Sequence, residues 1–146
     1  MKLEIISNSA IETKVAAKAF AKIITVPSVV SLVGNLGAGK TTLTQGFGEA
    51  FGIKDFITSP TFTILNEYKQ GDINLYHFDM YRLESYEEAA ETGFLEYFDL
   101  KTLDGITIVE WASNTQEILP EKYYQITLER IDDEKRKIIF ETVEKK

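Results

Sequence analysis

The chain has 146 residues, 44% hydrophobic and 27% charged, with a formal net charge of −7 and no cysteine. That is one ordinary domain, 1–146, of soluble composition; disulfides, thiolate metal sites and thiol nucleophiles are excluded, which fits a reducing cytoplasm. The acidic balance argues against direct coating of nucleic acid, no run approaches the ~18 apolar residues of a membrane span, and the start, MKLEIISNSAIE, lacks the apolar core of a signal peptide.

In chain order, LEIIS (3–7) reads as a short strand. Ser7, Asn8 and Ser9 then offer caps for a helix over Ala10 to Ile24. Its spacing predicts a buried stripe of Val15, Ala19, Phe20, Ile23 and Ile24, with Lys14, Lys18 and Lys22 opposite. Pro27 stops that pattern. SVVSLVG (28–34) is a continuous apolar run, the mark of a central parallel strand. KTTLTQGFGEAF (40–51) is the next helix, with Gly52 near its end.

TSPTFTILNEYK (58–69) is a loop leading into a strand, and INLYHFDMY (73–81) is a second strand. The Gly71-Asp72 turn joins them as an antiparallel hairpin. Ser85 to Glu88 has capping-box spacing, and Gly93 ends that short helix. ITIVEW (106–111) is another buried strand. YYQITLER and KIIFETV flank the mixed-charge turn IDDEKRK (131–137) as a closing hairpin. The expected fold is α/β, a mixed sheet of the P-loop NTPase kind with helices on its faces and antiparallel hairpins.

Between strand and helix stands Gly34-x-x-x-x-Gly39-Lys40-Thr41, the phosphate-loop pattern in its required context. Glycines let backbone approach an anion closely. Successive N–H groups and the helix N-terminus supply positive polarity. Lys40 would reach the outer phosphates and Thr41 would offer its hydroxyl to Mg2+. Such a loop needs an acid to complete the metal shell, and two acids end apolar strands: Asp79 and Glu110. An acid there is costly unless paired or metal-linked.

Three other residues leave two readings each. His77, the only histidine, shares a strand face with Asp79. It either orients that acid or relays a proton, or it is a hydrogen-bonded histidine at the sheet edge. Arg82 contacts phosphate or makes a surface ion pair. Trp111 is core by default, or an exposed aromatic for a partner or base.

The chain has no Asn-Lys-x-Asp, no Asp-x-x-Gly switch and no Leu-Ser-Gly-Gly, and its arginines are only Arg82, Arg130 and Arg136. A GTPase, a transporter ATPase and a lid-bearing kinase are each disfavoured, and a compact ATPase is left. A small-molecule kinase and a nucleotide-gated binding module are the alternatives.

GNLGAGKTT, TSPTFTILNEY, LYHFDMYRL, EEAAETGFLEYF, IVEW and ILP, taken in that order over residues 34–120, resemble the TsaE (YjeE) family, the ATPase of bacterial tRNA threonylcarbamoyladenosine synthesis. The resemblance implies that Gly37, Ala38, Gly39, Lys40, Thr41 and Thr42 wrap the phosphates of ATP. It implies that Thr41 and Glu110 hold Mg2+, that Lys40, Asp79 and Glu110 make up the catalytic site, with Asp79 or Glu110 placing the water, and that Thr61 is a switch-type contact near the γ-phosphate. Ser9 and Arg136 fall where the family touches the nucleotide outside the loop. The implied function is ATP hydrolysis in the service of a TsaB–TsaD complex, which meets the tRNA itself. One departure is Asn35, where the family usually has aspartate.

Overall fold

The strand that leads into the glycine loop lies at the centre of the sheet. The computed structural model describes residues 1–35, 37–112 and 116–145. Leu36, inside the loop, lies outside the described residues, as do 113–115 and 146.

Strands β1 (Lys2–Ser7), β2 (Ser28–Val33), β3 (Leu65–Tyr68), β4 (Asn74–Asp79), β5 (Gly105–Glu110), β6 (Lys122–Arg130) and β7 (Arg136–Glu144) form one sheet. Its order is β1-β7-β6-β2-β5-β4-β3. The four middle strands, β6, β2, β5 and β4, run parallel, and β7, β1 and β3 add antiparallel to the two sides. This is the mixed α/β sheet the sequence predicts. Strands β2 and β5 are buried along nearly all their length because both faces of the sheet are covered there.

Helices α1 (Ala10–Ile23) and α2 (Lys40–Ala50) cover one face, where Phe20, Leu43 and Phe47 meet Val30, Leu32, Ile106 and Ile126. Helix α3 (Tyr86–Glu91) and the 3-10 segments Phe94–Phe98 and Gln116–Ile118 cover β4 and β5 on the other. There Phe78 packs against Phe94, Tyr97 and Phe98. Ser85 caps α3 through Glu88 N–H, and Gly93 follows its end in the left-handed conformation.

The buried stripe of α1 is not the one its apolar spacing predicts. Phe20 and Ile24 are buried, but the rest of the face is Thr13, Ala16 and Ala17. Val15 is 58% exposed and Ile23 40%. The reason is the closeness of α2. A Cβ on Gly46 would lie 2.7 Å from Ala17 Cβ and 2.8 Å from the Lys14 carbonyl oxygen. Only small side chains fit between helices at that separation, whatever the hydrophobicity of the larger ones.

Two further expectations change. His77 is not at a sheet edge, because β4 lies inside the sheet between β5 and β3. Trp111 is not core: it is half-buried just beyond β5, with a left-handed backbone, φ 57°.

Candidate phosphate-binding site

The chain leaves β2 after Val33 and re-enters regular structure at Lys40, the first residue of α2. Gly34 makes the exit: a Cβ there would lie 2.8 Å from the Leu128 carbonyl oxygen on neighbouring β6. Gly39 makes the entry, with φ 101°, in the left-handed region that suits glycine. The first N–H groups of α2 have no partner within the helix, so the loop ends on donors and on the positive end of the helix dipole. Arg136, at the start of β7, fixes the loop from behind. Its Nε donates to the Ala38 carbonyl at 3.0 Å and its Nη2 to the Gly37 carbonyl at 3.3 Å.

The acids come from two adjacent strand ends. Glu110 closes β5 and is in register with Leu32 of β2. Asp79 closes β4 and is in register with Glu110. Alternation along β4 and β5 turns both toward the face that α2 covers, the face of Leu75, Ile106 and Ile108. Lys40, Asp79 and Glu110 are 6%, 3% and 3% exposed, so their charges must be answered locally.

They are. Lys40 Nζ donates to the Gly34 carbonyl at 2.9 Å and lies 3.8 Å from Glu110 Oε1. The Trp111 ring centroid is 3.8 Å from the same ammonium, a cation–π contact. Burial lowers the Lys40 pKa from its ordinary value, and the nearby Glu110 and Asp79 charges oppose that shift. Asp79 Oδ1 accepts the Tyr81 N–H at 2.9 Å, and Oδ2 accepts the Thr61 hydroxyl at 3.0 Å. Glu110 Oε2 is hydrogen-bonded to His77 Nε2. His77 therefore meets Glu110, not Asp79 beside it in sequence.

Among the described residues the only non-glycine positions with positive φ are Ile64 and Trp111. Both flank this constellation. Trp111 follows Glu110, and the Ile64 carbonyl accepts the Asp79 N–H at 2.8 Å. For a β-branched residue such as Ile64 the conformation is strained, and strain of this kind gathers at functional sites.

The remaining candidates lie around the loop. Thr41 and Thr42 open α2 half-buried, and neither hydroxyl has a hydrogen-bond partner among the described residues. Ser9, Thr13, Gly39, Thr42 and Arg136 line a cavity of about 230 Å3, so the start of α1 and the start of β7 lie together beside the loop. Ser9 also caps α1, accepting the Glu12 N–H at 3.1 Å. A larger cavity of about 700 Å3 lies on the other side of the loop, lined by Trp111, Asn35 and Gln125, without Lys40, Asp79 or Glu110. Asn35 is exposed, and its carbonyl accepts the Ala38 N–H at 3.0 Å. Arg82 makes no ion pair among the described residues; its guanidinium stands 4.8 Å from the Phe62 ring.

Thr41, Asp79 and Glu110 offer oxygen only, which suits a hard cation. No group of three His, Cys, Asp or Glu among the described residues makes a closed cage. One or two carboxylates with a hydroxyl fit Mg2+ that keeps waters and is shared with phosphates.

The family model described as "Threonylcarbamoyl adenosine biosynthesis protein TsaE" matches residues 7–138. The chain belongs to the TsaE family. The tRNA threonylcarbamoyladenosine biosynthesis protein TsaE of Bacillus subtilis (strain 168) is 45% identical over 132 residues, 90% of this chain and 80% of the relative. The protein of the same name from Rickettsia bellii (strain RML369-C) is 40% identical over 133 residues, 90% of this chain and 89% of the relative. The crystal structure of Bacillus subtilis YdiB superposes with a TM-score of 0.77 at 37% identity, covering 98% of this chain and 86% of that one. Membership agrees with the nucleotide-binding loop at the sheet centre.

The structure brings together Lys40, Asp79 and Glu110, the residues the sequence singles out, and adds two supports that the sequence does not signal. The His77–Glu110 contact crosses from β4 to β5, and only the strand order reveals it. The Arg136 contacts to loop carbonyls span 98 and 99 positions, and no local pattern signals them.

Proposed function

We propose that this TsaE-family chain is a Mg2+-dependent ATPase that serves tRNA threonylcarbamoyladenosine synthesis as an accessory to a TsaB–TsaD complex. The observation that carries the reading is the convergence of a buried lysine and two buried strand-end carboxylates on one glycine loop. In this reading the loop amides and Lys40 hold the outer phosphates and stabilise charge on the transferred group. Ser9 and Arg136 border the nucleotide outside the loop. Thr41 and Glu110 are the metal residues: Glu110 ends the strand next to β2, on which the loop is built. When bound, Mg2+ supplies charge neutralisation at the phosphoryl oxygens. Asp79 is one strand further out and already bonded to Thr61 and Tyr81 N–H. That suits it to orient the attacking water.

The Thr61–Asp79 bond also supports a gating role. It ties the site to a loop whose next residue, Phe62, is 81% exposed. A nucleotide that rearranges Asp79 would be felt on that surface, where the TsaB–TsaD pair would dock. Contact with tRNA is left to those partners, in keeping with the −7 charge.

The test is phosphate release from ATP by the full chain, alone and with TsaB, TsaD and tRNA. The expected result is Mg2+-dependent hydrolysis that rises strongly with the partners. Unchanged hydrolysis on their addition would remove the accessory role. Transfer of phosphate to a small molecule rather than to water would make the chain a kinase.

A further inference from the structure

His77 is the chain's only histidine and is fully buried on β4. On the α2 face of the sheet it stands between the apolar Leu75 and the acidic Asp79 of β4, beside Ile106, Ile108 and Glu110 of β5. A fully buried imidazole there must find a partner. It finds one. Nε2 is hydrogen-bonded to Glu110 Oε2, diagonally across the β4–β5 pair. Nδ1 is buried with no partner among the described residues.

That asymmetry fixes the tautomer. A hydrogen on Nδ1 would be a buried donor with no acceptor, and a lone pair on Nε2 would face a carboxylate lone pair. The ring therefore carries hydrogen on Nε2 and spends it on Glu110. The other oxygen of that carboxylate, Oε1, faces the glycine loop, 3.8 Å from Lys40 Nζ.

We propose that His77 is a positioning residue: by holding Oε2 of Glu110 it fixes the carboxylate so that Oε1 alone is presented to Mg2+ at the glycine loop. Without it the glutamate side chain regains rotamer freedom. The histidine touches neither nucleotide nor metal; it acts through Glu110. Outer partners of metal-binding carboxylates and histidines commonly contribute 10- to 100-fold to metal affinity. The inference rests on the reading of Glu110 as a metal residue, and the experiment separates the two.

Mg2+ is titrated calorimetrically into the full chain saturated with ADP, and ADP is titrated separately in EDTA. His77→Leu is expected to weaken Mg2+ binding about 10- to 100-fold, with ADP affinity in EDTA unchanged. His77→Gln, whose amide reaches the place of Nε2, is expected to restore most of the Mg2+ affinity. His77→Asn, whose amide reaches only the place of Nδ1, is not. The polar pair keeps the comparison open should the leucine variant not fold, and equal Mg2+ affinity in the two overturns the proposal. So does wild-type Mg2+ affinity in a folded leucine variant, or a loss of ADP binding in EDTA that matches the loss of Mg2+ binding. Glu110→Gln is the control. If it leaves Mg2+ affinity intact, the metal reading of Glu110 fails. If it weakens Mg2+ binding while the His77 variants do not, only the positioning role fails.

Discussion

Thr61 and Asp79 are joined by a hydrogen bond of 3.0 Å between the Thr61 hydroxyl and Asp79 Oδ2. The bond links the loop before β3 to the end of β4. A hydrogen bond to a charged group is worth about 1.5–3 kcal/mol, and Thr61 is half-buried, so the lower end applies. Thr61→Val is expected to slow ATP hydrolysis about 10-fold with ADP affinity unchanged, and Thr61→Ser to restore it. Steady-state phosphate release beside calorimetric ADP binding checks both.

Lys40 and Asp79 both neighbour Glu110, one from α2 and the other from β4, and should fail differently. Lys40→Ala removes the cation proposed to meet the phosphates, and nucleotide binding is expected to vanish from calorimetry. Asp79→Asn leaves loop, lysine and Glu110 in place. It is expected to retain Mg-ADP binding while hydrolysis falls about 100-fold or more, the scale for a positioned acid–base group. Wild-type hydrolysis by Lys40→Ala would sink the assignment.

Much of this was legible in the sequence, and the limits have physical causes. The loop could be read because its glycines and lysine are local and their spacing is their function. Asp79 and Glu110 could be read because an acid ending an apolar run stands out against desolvation. His77 was placed on the right face, since a strand alternates with period 2. Its partner was missed because alternation says nothing about which strand lies alongside. The face of α1 was misread for a related reason. Hydropathy favours Val15 and Ile23, but the neighbour across from Ala17 is Gly46, and closeness of approach decides which side chains go inside.

Gly46 therefore yields a prediction about stability. The added methyl of Gly46→Ala would overlap Ala17 Cβ at 2.7 Å and Lys14 Cα at 2.9 Å. Backbone atoms give way poorly, and overpacking costs about 1–3 kcal/mol. Helix propensity returns up to about 1 kcal/mol. The midpoint of thermal unfolding is expected to fall. A midpoint above wild type would mean that α1 and α2 separate freely.

Tyr76 and Asp104 predict a pH dependence. The Tyr76 hydroxyl donates to Asp104 Oδ1. This bond, the largest cause, holds the Asp104 carboxyl below its ordinary value. Burial first, and the same bond second, push the Tyr76 phenol up. The Asp104 contribution to stability is complete above its unfolded value of about 3.9 and is lost as pH falls through the folded value. Above about pH 10 the unfolded chain releases the Tyr76 proton while the folded chain keeps it, and stability falls. Urea unfolding of wild type and Tyr76→Phe is expected to differ most near neutral pH, with the gap closing at both ends. A gap that stays constant with pH would exclude this bond as its source.

Trp111 is the chain's only tryptophan, and its ring lies 3.8 Å from the Lys40 ammonium. The molecule thus carries an unlabelled optical gauge beside the lysine of its glycine loop. A turn of Lys40 from the indole to a phosphate would change the emission of a single fluorophore, with no second indole to dilute it.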